Sequence, residues 1–182
     1  MAQSPMSPEV RSLSLGASES AMAIGMSPFG DADDLYRRKR DFLPNPTQTE
    51  AMARGNRQED FVANEAAASL GEGVEIRNRQ LRVHHPQEPW ISATLDGIAY
   101  RGIECLGVTE FKTINQRLWL TPPDYYRCQV LHQMYVTGIP TGYLSAWSTK
   151  DTKLGVWEFR WEEQQAWWQP ILAECRRFVT VR

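Results

Sequence analysis

The stretch WISATLDGIAYRGIECLGVTEFKTI, residues 90–114, decides how the chain is built. It divides into two extended runs, 90–100 and 102–114, and the turn YRG between them predicts a β-hairpin. In the first run Ser92, Thr94 and Asp96 share one face while Ile91, Ala93 and Leu95 share the other, so Asp96 leaves the polar face just before Gly97. In the second, Glu110 and Lys112 follow Val108 on one face and Phe111 turns to the other. If the hairpin forms, Asp96 and Glu110 sit side by side. An acid and a lysine two apart on a strand can be read as an exposed ion pair of little energetic worth or as part of a site, and spacing alone leaves both readings open.

Working outward, a third extended run, VEIRNRQLRVHH at 74–85, precedes the hairpin. Before it, residues 49–70 (TEAMARGNRQEDFVANEAAASL) are rich in helix formers and are followed by Gly71 as a stop. The helical stripe Met52, Gly55, Glu59, Val62, Ala66, Leu70 puts one carboxylate, Glu59, among apolar and small residues. A carboxylate facing a core needs a charged partner, hydrogen bonds or a metal. With the stripe rotated by one position, Glu59 is instead an exposed acid. Downstream, TPPD starts a second helix at Thr121, expected to run to about Thr137 with Gly138 as stop and with Gln129 in line with Tyr125, His132 and Val136. Strands TGYLSAW (141–147) and LGVWEFRW (154–161) follow around the turn KDTK, and a closing helix at 162–179 contains Pro170, expected to kink or shorten it. The order helix, three strands, helix, two strands, helix predicts an α/β (α+β) fold with a central mixed β-sheet flanked by helices. Consecutive hairpin strands exclude a simple doubly wound parallel sheet.

A chain of 182 residues is read as one domain, residues 1–182, with a short flexible lead at about 1–9. No apolar run approaches the roughly 20 residues that cross a bilayer, and MAQSPMSPE has neither a basic start nor an apolar stretch, so no membrane association and a cytoplasmic location are expected. Cys105, Cys128 and Cys175 lack metal-ligand spacing and read as reduced core residues. A net charge of −2 argues against a surface that coats nucleic acid throughout but allows a local basic channel. YRRKR at 36–40 and Arg176–Arg177 are the main positive concentrations, each more often a solvated helix face than a phosphate track. His84 and His85 read as exposed strand-end residues, and Trp167 and Trp168 as packing or subunit-contact residues.

Three acids thus converge in the sequence reading, Glu59, Asp96 and Glu110, with Lys112 beside the last. Hard oxygen ligands without histidine or cysteine suit Mg²⁺ or Mn²⁺, and carboxylates plus a lysine are what metal-assisted phosphodiester hydrolysis needs. Asp96 followed by Glu110-Phe111-Lys112 resembles the PD-(D/E)XK nuclease superfamily, a weak pattern by itself. RSLSLGASES (11–20), ARGNRQED (53–60), ATLDG (93–97) and YYRCQVLHQMYVTG (125–138) resemble, in order and spacing, the phage lambda-type exonucleases, also called YqaJ-like viral recombinases. The resemblance runs from Arg11 to the final helix.

That resemblance implies a PD-(D/E)XK restriction-endonuclease-like core. It implies metal ligation by Asp96, Glu110 and the backbone carbonyl of Phe111, with Lys112 activating the water and Glu59 in the metal and water shell. It makes Gln129 a supporting residue of the active site and places Arg11, Ser18 and Thr94 where the family binds the 5′-phosphate of the digested strand. A bidentate arginine with hydroxyl donors suits a terminal phosphate. The lead before Arg11 lacks a Trp-containing segment, the stretch between Asp96 and Glu110 is longer than in the lambda enzyme, and Thr94 stands where serine is usual. The implied function is a Mg²⁺-dependent 5′-to-3′ exonuclease on double-stranded DNA ends, leaving a 3′ single-stranded tail for annealing-type recombination. The implied assembly is a ring-shaped homotrimer, and the implied partner a single-strand annealing protein. A non-processive or structure-specific nuclease, or a catalytically silent DNA-binding module, are the alternatives.

Overall fold

The computed structural model describes residues 12–41, 43 and 50–180, with the side chains of 51, 52 and 54–56 left aside. In chain order the elements are β1 (Leu15–Gly16), α1 (Ala17–Ala23), α2 (Ala32–Arg40), α3 (Glu50–Leu70), β2 (Val74–Arg77), β3 (Leu81–His84), β4 (Ile91–Leu95) and β5 (Gly97–Arg101). They continue with β6 (Glu104–Ile114), α4 (Asp124–Thr137), β7 (Thr141–Ser148), β8 (Lys153–Arg160) and α5 (Trp161–Thr180). Five strands form one sheet in the order β2-β5-β6-β7-β8, in which only β6 and β7 pair parallel. Three form a second sheet, β1-β4-β3. This is the mixed α+β architecture expected from the order of elements.

The main sheet is covered on both faces. Phe111 points from β6 into a small cluster with Val62, Ala63 and Ala66 of α3. The larger core holds Leu131 and Met134 of α4, Leu144 of β7, Ala21 and Met22 of α1, and Trp168, Ile171 and Leu172 of α5. The period of two along β6 therefore directs Phe111 to the α3 side and the carboxylate of Glu110, bonded by α4 side chains, to the other.

Two expected runs are each broken and shared between the sheets. The run 74–85 splits into β2, which pairs with β5, and β3, which pairs with β4. The break falls at Asn78 and Gln80, whose φ values of 55° and 56° are left-handed and incompatible with a continuing strand. The run 90–100 splits at Asp96, so β4 stays in the small sheet and β5 enters the large one. The corners meet: Arg79 Nε donates to the Asp96 carbonyl at 3.1 Å. The hairpin of β5 and β6 forms as expected, with Gly102 in the turn at φ 60°.

Other expectations shift in detail. Helix α4 begins at Asp124 with Pro123 rather than Thr121 as its N-cap, and ends at Gly138 in the left-handed conformation that glycine permits. Helix α5 continues through Pro170 to Thr180 and is not shortened by it. Cys128 and Cys175 are buried, but Cys105 is exposed, because it follows the Gly102 turn at the outer end of β6. Elements β1 and α1 had no counterpart in the sequence reading, and of α2 only YRRKR was read as a helix face. They are short, the helices having 7 and 9 residues, too few for a clear periodicity.

Candidate active site

Asp96 stands at the corner where the chain leaves one sheet for the other, opposite the middle of β6. The register pairs Gly97 with Thr109, which brings the Asp96 side chain to the start of the Glu110-Phe111-Lys112 segment. Asp96 Oδ2 accepts a hydrogen bond from the Phe111 N–H at 2.9 Å. The approach requires glycine at position 97: a Cβ there would stand 2.3 Å from Ile76 Cγ2 and 3.1 Å from Thr109 Oγ1.

Glu110 is 1% exposed and its carboxylate is fully engaged. Oε1 accepts from Lys112 Nζ and, at 2.6 Å, from Gln129 Nε2. Oε2 accepts from Gln133 Nε2 at 2.5 Å. Gln129 and Gln133 lie one turn apart on α4, so a single helix face clamps both oxygens. The Glu110–Lys112 pair is thus no surface salt bridge: Lys112 retains 23% side-chain exposure and Glu110 almost none. Lys112 Nζ also lies 5.2 Å from the centre of the Tyr126 ring.

The electrostatics follow from that burial. Loss of water is the main cause that raises the Asp96 carboxyl well above its ordinary range, and the neighbouring Glu110 charge adds to it. Lys112, the Phe111 N–H bond and, with the opposite sign, Glu59 make smaller contributions. Burial works against the Lys112 ammonium, but the combined charges of Glu110 and Asp96 outweigh it and hold the amine protonated beyond its usual range. The site therefore holds a buried acid pair whose negative charge one lysine does not fully satisfy.

Glu59 is placed differently from the convergence read in the sequence. Its Oε1 accepts from Arg79 Nη2 at 2.6 Å and from Gln80 Nε2 at 2.9 Å, while Arg79 Nη1 donates to Asp60 Oδ1 at 2.6 Å. Helix α3 packs on the Phe111 face of β6, so Glu59 approaches from the side away from Lys112 and reaches Asp96 through its field and through Arg79, which bonds both Glu59 and the Asp96 carbonyl. Among the described residues no three His, Cys, Asp or Glu side chains form a group able to hold a metal ion. Two carboxylates do stand together, Asp96 and Glu110. Both are hard oxygen donors, and Asp96, raised by burial and by the neighbouring Glu110 charge, gains from a divalent cation, so this donor set fits such an ion.

Of the residues expected at a terminal phosphate, Arg11 lies outside the described residues, and Ser18 and Thr94 are both exposed. Parallel pairing of β1 with β4, Gly16 opposite Ser92, carries the first turn of α1 with Ser18 in the direction of Thr94. Arg82 lies opposite Thr94, and its Nη2 donates to Ser14 Oγ at 3.1 Å and Ser92 Oγ at 3.2 Å. The sequence reading did not single out Gln133, Arg79 or Arg82. Gln133 follows Gln129 by four residues on a helix, a spacing that could have flagged it; Arg79 and Arg82 sat inside what read as one strand.

The YqaJ-like viral recombinase domain matches residues 8–140, and the chain belongs to that family. Its structure is similar to that of the alkaline exonuclease LHK-Exo from Laribacter hongkongensis, with a TM-score of 0.74, 18% identity and coverage of 95% of this chain and 90% of that one. The structure of LHK-Exo in complex with dAMP is similar at a TM-score of 0.66 and 17% identity, covering 95% and 93%. The structure of SSO0001 is similar at 0.55 and 11%, covering 93% and 77%. No curated protein matches the sequence. At these identities the likeness is one of fold, and that fold is the PD-(D/E)XK-like fold of alkaline exonucleases.

Proposed function

We propose that this chain is, across residues 1–182, one nuclease domain: a metal-dependent exonuclease that digests one strand of duplex DNA from its 5′ end and leaves a 3′ single-stranded tail for recombination by annealing. The observation that carries the reading is the burial of Glu110 beside Asp96 and Lys112, with Glu110 held at both oxygens by α4. A surface ion pair needs neither the burial nor the clamp.

Asp96, Glu110 and the carbonyl of Phe111 are the groups that would hold Mg²⁺, or Mn²⁺ in its place, and Glu59 is a further acid of the surrounding shell. Such an ion supplies a Lewis acid for a phosphoryl oxygen and offsets the charge of the acid pair. The chain's own residues do the rest. Gln129 and Gln133 hold Glu110 in one orientation, and the Phe111 N–H holds Asp96. Once the acid charges are offset, the force that keeps Lys112 protonated is reduced, and its amine can take a proton from the attacking water. Arg11, Ser18 and Thr94 would receive the 5′-phosphate, with Arg82 contributing a guanidinium opposite Thr94. Thr94 and Asp96 are two residues apart, about 7 Å at strand spacing, a separation suited to adjacent phosphates on one strand. The dAMP bound by the similar LHK-Exo suits a deoxynucleoside 5′-monophosphate as product.

The family resemblance extends the proposal to a ring-shaped homotrimer, to a single-strand annealing protein as partner, and to the cytoplasm of a bacterial or phage-infected cell. Among the described residues no helix is long and apolar enough to cross a membrane. Lys112→Ala tests the chemistry. Release of nucleotide from linear duplex in Mg²⁺ is expected to be abolished, with circular dichroism and DNA binding retained; retained release would remove Lys112 from the mechanism.

A further inference from the structure

Aromatic rings extend from Lys112 toward solvent along one wall. Tyr126, 5.2 Å from Lys112 Nζ, packs on Tyr125 with ring centres 4.3 Å apart. Tyr125 in turn meets Phe29 at 5.6 Å with the ring planes 88° apart. In the other direction Trp119 lies 5.4 Å from Tyr126. Tyr125, Tyr126 and Trp119 pack against the main core, but Phe29 is 72% exposed and Leu120, next to Trp119, is fully exposed. The row thus runs from the lysine to a ring standing in water.

The Phe29 segment is built rather than loose. Its N–H donates to Ser27 Oγ at 3.1 Å. At Gly30, with φ 150°, a Cβ would lie 2.6 Å from Met22 Cε and 3.6 Å from both Arg38 Nη2 and Asp34 Oδ2, so the segment is closely packed on α1 and α2. A phenyl ring left in water forgoes the stabilisation that burial would bring. Stacked duplex DNA offers phosphates and base edges along its length, and base faces only where strands end or separate. An exposed ring at the end of an aromatic row that leads to Lys112 has the composition of a single-strand binding surface.

We propose that Phe29, backed by Tyr125, is a stacking site for an unpaired nucleobase of DNA lying across the Lys112 site. The inference rests on the nuclease reading above. Two ring contacts separate Phe29 from Lys112, so the stacked base belongs to a nucleotide neighbouring the one whose bond is cut.

The test measures binding of 5′-phosphorylated single-stranded oligodeoxynucleotides to the full chain in EDTA by fluorescence anisotropy, with a single abasic residue stepped through successive positions. Phe29→Ala is expected to weaken binding of the intact strand about tenfold, and Phe29→Trp to restore it. At one abasic position the wild type should bind as weakly as Phe29→Ala, and there the two should not differ. Equal affinity of wild type and Phe29→Ala for the intact strand, or a loss that persists at every abasic position, would overturn the stacking site. Nucleotide release from linear duplex in Mg²⁺ separates the two claims. A wild type that releases nucleotide while Phe29→Ala binds undiminished overturns the stacking site alone, and a wild type that neither binds nor cuts overturns both.

Discussion

His132 is fully buried on α4, and its Nε2–H donates to the Ser92 carbonyl at 2.9 Å, tying the active-site helix to the strand that leads to Asp96. Its Nδ1 has no hydrogen-bond partner. Burial pushes the imidazole down to about 4 from its ordinary value of 6.5, a shift partly opposed by the Ser92 bond and the field of Glu19. A depressed folded-state value means that the contribution to stability is complete above about 6.5 and is lost as pH falls toward 4. The loss amounts to about 3 kcal/mol. Urea midpoints measured from pH 8 to pH 4 should show wild type losing more stability than His132→Gln across that window; parallel curves would mean the imidazole is not buried neutral. At this scale the strand period brought Asp96, Glu110 and Lys112 together in the sequence, and the family resemblance pointed to Gln129, which the structure places on Glu110. It did not disclose Gln133 as the second half of the clamp or Arg79 as the partner that holds Glu59 aside, since both are set by how α3 and α4 pack on β6.

Secondary structure was most legible where a turn or stop coincided with a change of period, as at the β5–β6 hairpin and at Gly138. It was least legible at the paired corners, residues 78–80 and 96, where extended runs were read straight across a change of sheet. The available signal is a change of phase, from Val74 and Ile76 on even positions to Leu81 and Val83 on odd ones; the left-handed φ values of Asn78 and Gln80 make that break, and Arg79 fastens it to the Asp96 carbonyl. Gly97 is the residue that lets β5 leave the corner. Gly97→Ala would press a methyl against Ile76 and Thr109, and overpacking of this kind costs about 1–3 kcal/mol. A lowered urea midpoint together with reduced nucleotide release is expected, because the same displacement moves Asp96 from the Phe111 N–H. Unchanged stability would show that the corner yields without strain.

Across the whole molecule, similarity of fold to LHK-Exo extends over 95% of the chain at 18% identity, so the architecture that brings Asp96 to Glu110 does not depend on most of the individual side chains. The net charge of −2 fits an enzyme that meets DNA at a limited surface rather than over its whole exterior. The family and fold class could be read from four short segments in order, but the inner face of α4 that closes over Glu110 needed the folded chain. The central claim is most directly tested on linear duplex DNA with one 5′-phosphorylated and one 5′-hydroxyl end, each strand labelled, beside a closed circle, with and without Mg²⁺. Metal-dependent loss of the 5′-phosphorylated strand with the circle intact is the result expected; cutting of the circle, or loss of both strands at equal rates, would contradict a 5′-phosphate-directed exonuclease.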